Sequence, residues 1–420
     1  MTFGLVLLFT VLASVSDLVS AWLYAADPLH WGIDVVRHGR DGLMAVLALW
    51  GLRHAHRTGS AFVFALLYAG WIAVYALASP DGPESPLILA SSAKLALPVL
   101  LLAAGYGSVD TPERLRIYAL TLAALAVLST GFGAWDIGRT EFWTETLQYG
   151  HYLNGVKGIV MGFDGYYTLP FNFFGFEEKR RAAGLVAAPL AQGSLVATGS
   201  LLGFAALQRR AFLPAAAILV VGLLGVWQSG TRGAMLFLLI ALPIFLILGG
   251  RGSGIFVRNA VTLAALALCT FQAVAFVYSY SVNFQDGSTI GHLEALERNI
   301  ADLDQVLVIG AGIGAAGSVA ADEGLETAGG GEGALFSIIY QIGLPGGLVF
   351  LLFYAAVLRR AFAARHPDGA AGDIGLAVFA LGIGVITSFI SSDHIFSLSG
   401  MGVFWIALGG VLAQARGARP

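Results

Sequence analysis

Apolar runs of about 20 residues recur along almost the whole chain, and this recurrence constrains the fold more than any single motif. They fall near 3–24, 41–53, 59–79, 85–106, 114–133, 182–206, 211–228, 232–250, 256–280, 334–358, 371–391 and 396–414, the second being short and expected to start upstream, around Trp31. A 20-residue helix rises about 30 Å, the thickness of the hydrocarbon core, and satisfies its own backbone there. The expected fold class is therefore an all-α polytopic membrane protein with about 12 transmembrane helices, forming one integral membrane domain over residues 1–420. A mean hydropathy of +0.78 with 12% charged residues excludes an ordinary soluble globular chain. Residues 3–24 lack a basic n-region and are followed by further spans, so they read as the first helix rather than a signal peptide. The single cysteine, Cys269, excludes an intramolecular disulfide and a cysteine metal site, and a net charge of −3 gives no reason to expect nucleic acid.

Positive charge sets the expected orientation. Arg53, Arg57, Arg114, Arg116, Arg209, Arg210, Arg251, Arg258, Arg359, Arg360, Arg365, Arg416 and Arg419 all fall on one side if there are twelve spans. That side is the cytoplasm, so both termini are expected there. Nine basic residues fall on the other side: Arg37, Arg40, Arg139, Lys157, Lys179, Arg180, Arg181, Arg232 and Arg298. Outward arginines do not help insertion, so an anionic ligand is expected to employ some of them. Asp17 and Lys94 lie inside apolar spans, where each costs roughly 2.5–3.5 kcal/mol on insertion scales. Pairing with each other, or a polar cleft, would offset that cost.

Two outer segments are long. Residues 134–180 are crowded with aromatics, among them Trp143, Tyr149, Tyr152, Tyr166, Tyr167 and Phe171, which suit the bilayer interface and can stack on sugar faces. Residues 281–333 contain Leu293, Leu296, Ile300 and Leu303 at helical spacing, with His292, Glu294, Glu297, Arg298 and Asp302 off that stripe. An amphipathic helix lying over the mouth of the bundle is expected. Gly312, Gly314 and Gly317 match the spacing of a dinucleotide fingerprint, but no βαβ context surrounds them; they read better as a tight loop approaching a neighbour. Arg232 opens a helix, where backbone N–H groups favour anions, although a lipid headgroup would serve as well as a substrate phosphate. Arg180 and Arg181 leave the same two alternatives open, and Arg298 can pair with Glu294 one turn earlier. Asp393 and His394 stand in the last outer turn. Glu332 stands where the polar segment ends and an apolar helix begins, with Asp322, Glu323 and Glu326 nearby.

In combination these pieces resemble the O-antigen ligase and polymerase superfamily of bacterial envelope glycosyltransferases. Arg181-x-x-Gly184 with Pro189, Ser229-Gly230-Thr231-Arg232-Gly233-Ala234, Arg298 followed by Gly310-Ala-Gly312-Ile-Gly314, and Gly343-Leu-Pro-Gly346 resemble its motifs in order, over roughly the last 240 residues. At the ligase histidine this chain carries Glu332, followed by Gly333 instead of Asn, Ser or Gln. The resemblance implies a GT-C-like glycosyltransferase architecture in the bacterial inner membrane, working at the periplasmic face with two large extracytoplasmic segments. It implies an inverting, metal-independent transfer without cofactor, from a glycan on undecaprenyl pyrophosphate to an acceptor glycan. Catalytic roles fall on Glu332, Arg232 and Arg298, and substrate contacts on Arg181, Arg180, Tyr166 and Tyr167. Polymerisation of O-antigen, capsule or exopolysaccharide repeat units is the first expectation, and ligation to another acceptor the alternative. A flippase or small-molecule transporter is the alternative of a different class, and would show broken helices around a midplane site. Membrane lipid and a chain-length regulator or export proteins are the further partners expected.

Overall fold

Eleven of the twelve apolar runs fold as helices in the computed structural model, which describes residues 2–55, 59–159, 169–175, 179–249, 287–322, 328–365 and 369–415. The run at 256–280 lies outside the described residues. In chain order the helices are α1 (Thr2–Ala26), α2 (Gly32–Ala55), α3 (Ser60–Leu77), α4 (Pro86–Ser108), α5 (Pro112–Asp136), α6 (Tyr149–Lys157), α7 (Pro189–Leu207), α8 (Phe212–Ser229), α9 (Arg232–Gly249), α10 (Gly287–Ala301), α11 (Ala334–Ala363), α12 (Ala370–Val385) and α13 (Leu398–Gln414). Nine helices among the described residues are long and apolar enough to cross a membrane, so this is a multi-pass membrane protein. Two expected spans fall outside that nine. α2 carries Asp34, Arg37, Arg40 and Asp41 in its first half, and α13, though apolar, is short at 17 residues. Apart from an isolated antiparallel bridge between Phe174 and Arg180, the regular structure among the described residues is helical.

α7 and α13 form the centre of the bundle and are buried along most of their length. α7 packs against α5, α8, α9, α12 and α13, while α13 packs against α4. In lipid the drive toward helix association is close packing, which small residues permit by letting backbones approach. The α4–α13 crossing shows this reciprocally. A Cβ on Gly105 would overlap the Ile406 carbonyl of α13, and a Cβ on Gly409 would overlap the Leu102 carbonyl of α4.

Polar contacts sort the connections into the two sides expected from charge. At one end, Arg209 pairs with Asp373 (Nε to Oδ2 2.5 Å), Gly59 lies beside the Arg360 guanidinium, and Gln414 donates to the Val109 carbonyl at 3.3 Å. At the other, loop-rich end, Arg37 donates to Val156 O at 3.1 Å and Ala182 N to Gln228 O at 2.9 Å. Lys94 there meets Asp393 (2.7 Å) and Ser318. No two connections assigned to opposite sides are joined by these contacts.

Two expectations change. The run beginning at 182 does not become helical until Pro189, because residues 181–188 are held in an extended and 3-10 path by hydrogen bonds described below. Asp17 and Lys94 do not pair with each other. Asp17 takes Lys157 (2.7 Å) and Tyr152 (3.3 Å) from the first long connection, and Lys94 takes Asp393. Each intramembrane charge is thus neutralised by a partner from the loop-rich end.

The α4–α13 interlock is testable. Gly409→Val should lower the thermal midpoint in detergent micelles by an amount corresponding to about 1–3 kcal/mol, the usual range for overpacking. Gly131→Ala, in α5 with open space around its Cβ position, should leave the midpoint unchanged or raise it slightly.

Candidate functional site

The first two arginine motifs meet in space. Arg181 precedes α7 and donates Nε to Ser229 O (2.8 Å) and a terminal nitrogen to Thr231 Oγ1 (3.2 Å). Thr231 in turn donates its hydroxyl to Pro189 O at 2.9 Å, and a left-handed Gly230 (φ 59°) ends α8 so that α9 can begin at Arg232. The Arg181 side chain lies across this turn so closely that a Cβ on Gly230 would sit 3.0 Å from its Nε. Beneath them Asp136, fully buried at the end of α5, accepts Gly184 N (2.8 Å) and Ala183 N (3.2 Å) and pairs with Arg180 at 3.6 Å. Arg180 also packs over the Phe173 and Phe174 rings and donates to Phe173 O. Burial lowers the proton affinity of its guanidinium, and the Asp136 charge opposes that. Arg180 therefore serves the wall of the site, while Arg181 lies along its turn.

The third and fourth motifs also meet. α11 is broken at Ile342 (φ −131°, ψ 17°) and Gly343 (φ 75°, ψ 169°). A break inside an apolar helix frees carbonyls that must be paired again. Here Ala311 N donates to Tyr340 O (2.6 Å), Trp71 Nε1 to Ile342 O (2.9 Å), and Leu344 N to Leu307 O (2.8 Å). Gly314 N completes the set by donating to Gln341 Oε1 at 3.0 Å. The glycine loop of 310–317 thus wraps the break, and the close approach of Gly310 to Gln341 and Gly343 leaves no room for a side chain. Of the three glycines spaced as a nucleotide fingerprint, Gly314 and Gly317 lie against this helix, at Gln341 and Ser337, while the Cβ position of Gly312 is open.

Glu332 sits immediately before α11 and is pinned to α10. Asn299, buried in α10, donates Nδ2 to Glu332 O and accepts Gly330 N, both at 2.9 Å, and its own carbonyl accepts the Tyr340 hydroxyl at 3.0 Å. A Cβ on Gly330 would overlap the Ala295 carbonyl, so the strip 329–333 lies flat against the face of α10 carrying Ala295 and Asn299. One further turn along that face His292 meets the Glu332 carboxylate, Nδ1 to Oε2. Both side chains stay open to the rim, 43% and 44% exposed. On the other flank, Ala334 N and Leu335 N at the start of α11 donate to Ser392 O and Phe389 O, both at 3.0 Å.

The 389–397 connection joins the two halves. His394 is within electrostatic reach of Arg181 on one side and His292 on the other, with Asp393 and Lys94 beside it. Burial pushes its imidazole below the ordinary value; Asp393 opposes this, while Lys94, Arg181 and His292 add to it. The neutral ring is favoured. At Asp393 burial works to raise the carboxyl, but the Lys94 ammonium and its hydrogen bond outweigh that and hold it below the usual carboxylate range.

Of the residues expected to act, Glu332 meets His292, Arg181 lies across the turn into α9, and Arg232 is the first residue of α9. Arg298 lies on α10 six residues beyond His292, exposed, with Nε directed to Glu294 O at 3.4 Å rather than to the Glu294 carboxylate. Tyr166 and Tyr167 lie outside the described residues. The outward basic residues serve the protein itself more than expected: Lys157, Arg180, Arg37 and Arg40 are all engaged internally. Asp136, Asn299, His292 and His394 carry as much of the arrangement as the expected residues. Asp136 gave one signal in sequence, an acid closing an apolar run; Asn299 gave none. No group of three or more His, Cys, Asp or Glu side chains capable of holding a metal occurs among the described residues. Comparison with protein-family models gives no match, and comparison with curated proteins gives none either.

The Lys94–Asp393 pair should report itself in stability. Because the folded carboxyl is depressed, its contribution is present above the unfolded value, about 3.9, and is lost as pH falls through the lower folded value. Asp393→Asn should cost roughly 3 kcal/mol or less, below a fully buried pair because both side chains keep about a fifth of their surface exposed. In denaturant unfolding the gap to wild type should stay constant from pH 8 to 5 and close only in strong acid.

Proposed function

We propose that the protein is a membrane glycosyltransferase whose site is the rim formed by Arg181, Arg232, His292, Glu332 and His394. The donor is a glycan on undecaprenyl pyrophosphate at the periplasmic face, and the reaction joins repeat units of an O-antigen, capsule or exopolysaccharide. In this reading the fold is GT-C-like with about twelve spans and both termini cytoplasmic. The observation that carries it is the convergence of four separate sequence motifs on one end of the bundle. Two bring the Arg181 guanidinium to the turn that starts α9, where Arg232 stands, and two flank the strip that carries the carboxylate of the Glu332–His292 pair.

That arrangement suits one chemistry. An acceptor hydroxyl oxygen forms a bond to the anomeric carbon as the bond from that carbon to the pyrophosphate oxygen breaks. The lipid pyrophosphate leaves with the electron pair, and the hydroxyl proton passes to a base at the rim. Guanidinium groups near the leaving phosphates stabilise the charge that develops. Displacement from the opposite face inverts the anomeric carbon.

The broken α11 and the Lys94–Asp393 pair favour a second reading, a transporter, since such helices hold ions at unwound carbonyls. In this chain, however, the carbonyls flanking the break are taken by Ala311 N, Trp71 Nε1 and other groups of the protein. The enzyme reading accounts for them and for the open Glu332–His292 pair; transfer to a non-glycan-repeat acceptor, as in a ligase, uses the same steps.

With protein in proteoliposomes and lipid-linked oligosaccharide as donor, chain length on a gel should grow with wild type. Glu332→Gln and Arg232→Ala should each slow growth by about 10²-fold or more. Elongation at the wild-type rate by both variants would dismiss this site. Movement of oligosaccharide across sealed vesicles without a new glycosidic bond would instead establish the transporter.

A further inference from the structure

We propose that His292, and not Glu332, is the catalytic base of this rim, and that Glu332 is the residue that positions it. The inference rests on the glycosyl-transfer reading and assigns the proton-accepting atom within it.

Three observations converge on the pair. His292 offers Nδ1 to the Glu332 carboxylate, and with the donor on that nitrogen the remaining ring nitrogen, Nε2, carries the lone pair. Glu332 itself is fixed from behind: Asn299 holds its carbonyl, and the Gly330 contact with the Ala295 carbonyl holds the strip on which it stands. His292, Ala295 and Asn299 recur at i, i+3 and i+7, so one face of α10 supplies both the imidazole and the clamp on its carboxylate. A loose surface ion pair would be worth little and need no such support. Here a buried asparagine, a glycine contact and a tyrosine hydroxyl on the asparagine carbonyl all serve to set one carboxylate against one ring.

The chemistry prefers the ring. Carboxylates as a class titrate near about 4 and imidazoles near about 6.5, so an imidazole is the better-matched base at neutral pH. A carboxylate behind the ring fixes the tautomer and stabilises the imidazolium that forms, as in other imidazole–carboxylate pairs. The acceptor hydroxyl proton therefore passes to His292 Nε2 as the oxygen bonds to the anomeric carbon and the pyrophosphate departs. The charged and titratable groups around the ring are Glu332 from the strip before α11 and His394 from the last connection, with Arg181, Asp393 and Lys94 around His394. On its own helix stand Glu294, Glu297 and Arg298.

The test joins two readouts on the full-length protein in nanodiscs. The first needs no substrate: the rate at which diethylpyrocarbonate modifies His292, followed by mass spectrometry from pH 5 to 8. Glu332→Gln should change that rate several-fold, because it removes the carboxylate held against the ring. The second is elongation of undecaprenyl-pyrophosphate-linked oligosaccharide. His292→Gln should lower kcat by about 10²–10⁴-fold with donor KM little changed. Glu332→Asp should recover part of what Glu332→Gln loses, and the double variant should be no slower than His292→Gln alone. An unchanged modification rate in Glu332→Gln would overturn the pairing, and wild-type turnover in His292→Gln would overturn the catalytic assignment. If wild type elongates no glycan, the glycosyl-transfer reading and the catalytic role with it fall, while the modification rate still decides the pairing separately.

Discussion

In hydrocarbon a backbone carbonyl without a donor is costly, and the break in α11 exposes several at once. Repairing them determines how the loop-rich end is built. Because Tyr340 O, Ile342 O and the Gln341 side chain must be capped, the segment 307–314 is drawn onto the helix, and with it the glycine turn. That segment follows α10, so docking it also anchors the helix that carries His292 and Asn299. Glu332 is then held between α10 on one flank and the 389–392 turn on the other. The placement of the Glu332–His292 pair is a consequence of how a discontinuous helix satisfies itself.

The bundle was largely legible from the spacing of apolar runs, because length and hydropathy are local properties that lipid selects directly. The distribution of arginines sorts the connections into two sets along the sequence. Pairings were not legible. Nothing near Lys94 points to Asp393, nor anything near Asp17 to Lys157, because each partner is a long way off along the chain and chosen by packing. The start of α7 was misjudged for a related reason. Residues 182–188 read as apolar and helical, yet Asp136, Gln228 and Ser129 claim the backbone N–H groups of that stretch before a helix can form.

The outward arginines show how a sound charge argument can overreach. Their number suggested an anionic ligand, but several are consumed by internal carboxylates, carbonyls and aromatic faces. Arg180 and Arg181 are adjacent in sequence and differ in task. One is folded against Asp136 and two phenylalanines, and the other spans the turn that leads into α9. What Glu332 offered in sequence was an acid at a boundary. What the fold adds is a ring against it and a clamp behind it.

α10 has a second face. Of the expected apolar stripe, Leu293 and Ile300 are exposed, Ile300 at 61%, while Leu303 just beyond the helix packs against Val306, Ala316 and Tyr340. The side of α10 that docks on the strip before α11 carries Asn299 and His292. In a bilayer the natural cover for the apolar stripe is acyl chain. The same helix thus answers to two masters, the strip bearing Glu332 above and the lipid surface below. Membrane thickness and headgroup packing become structural parameters of this end of the bundle, so a detergent micelle and a native bilayer need not hold the Glu332–His292 pair in the same geometry.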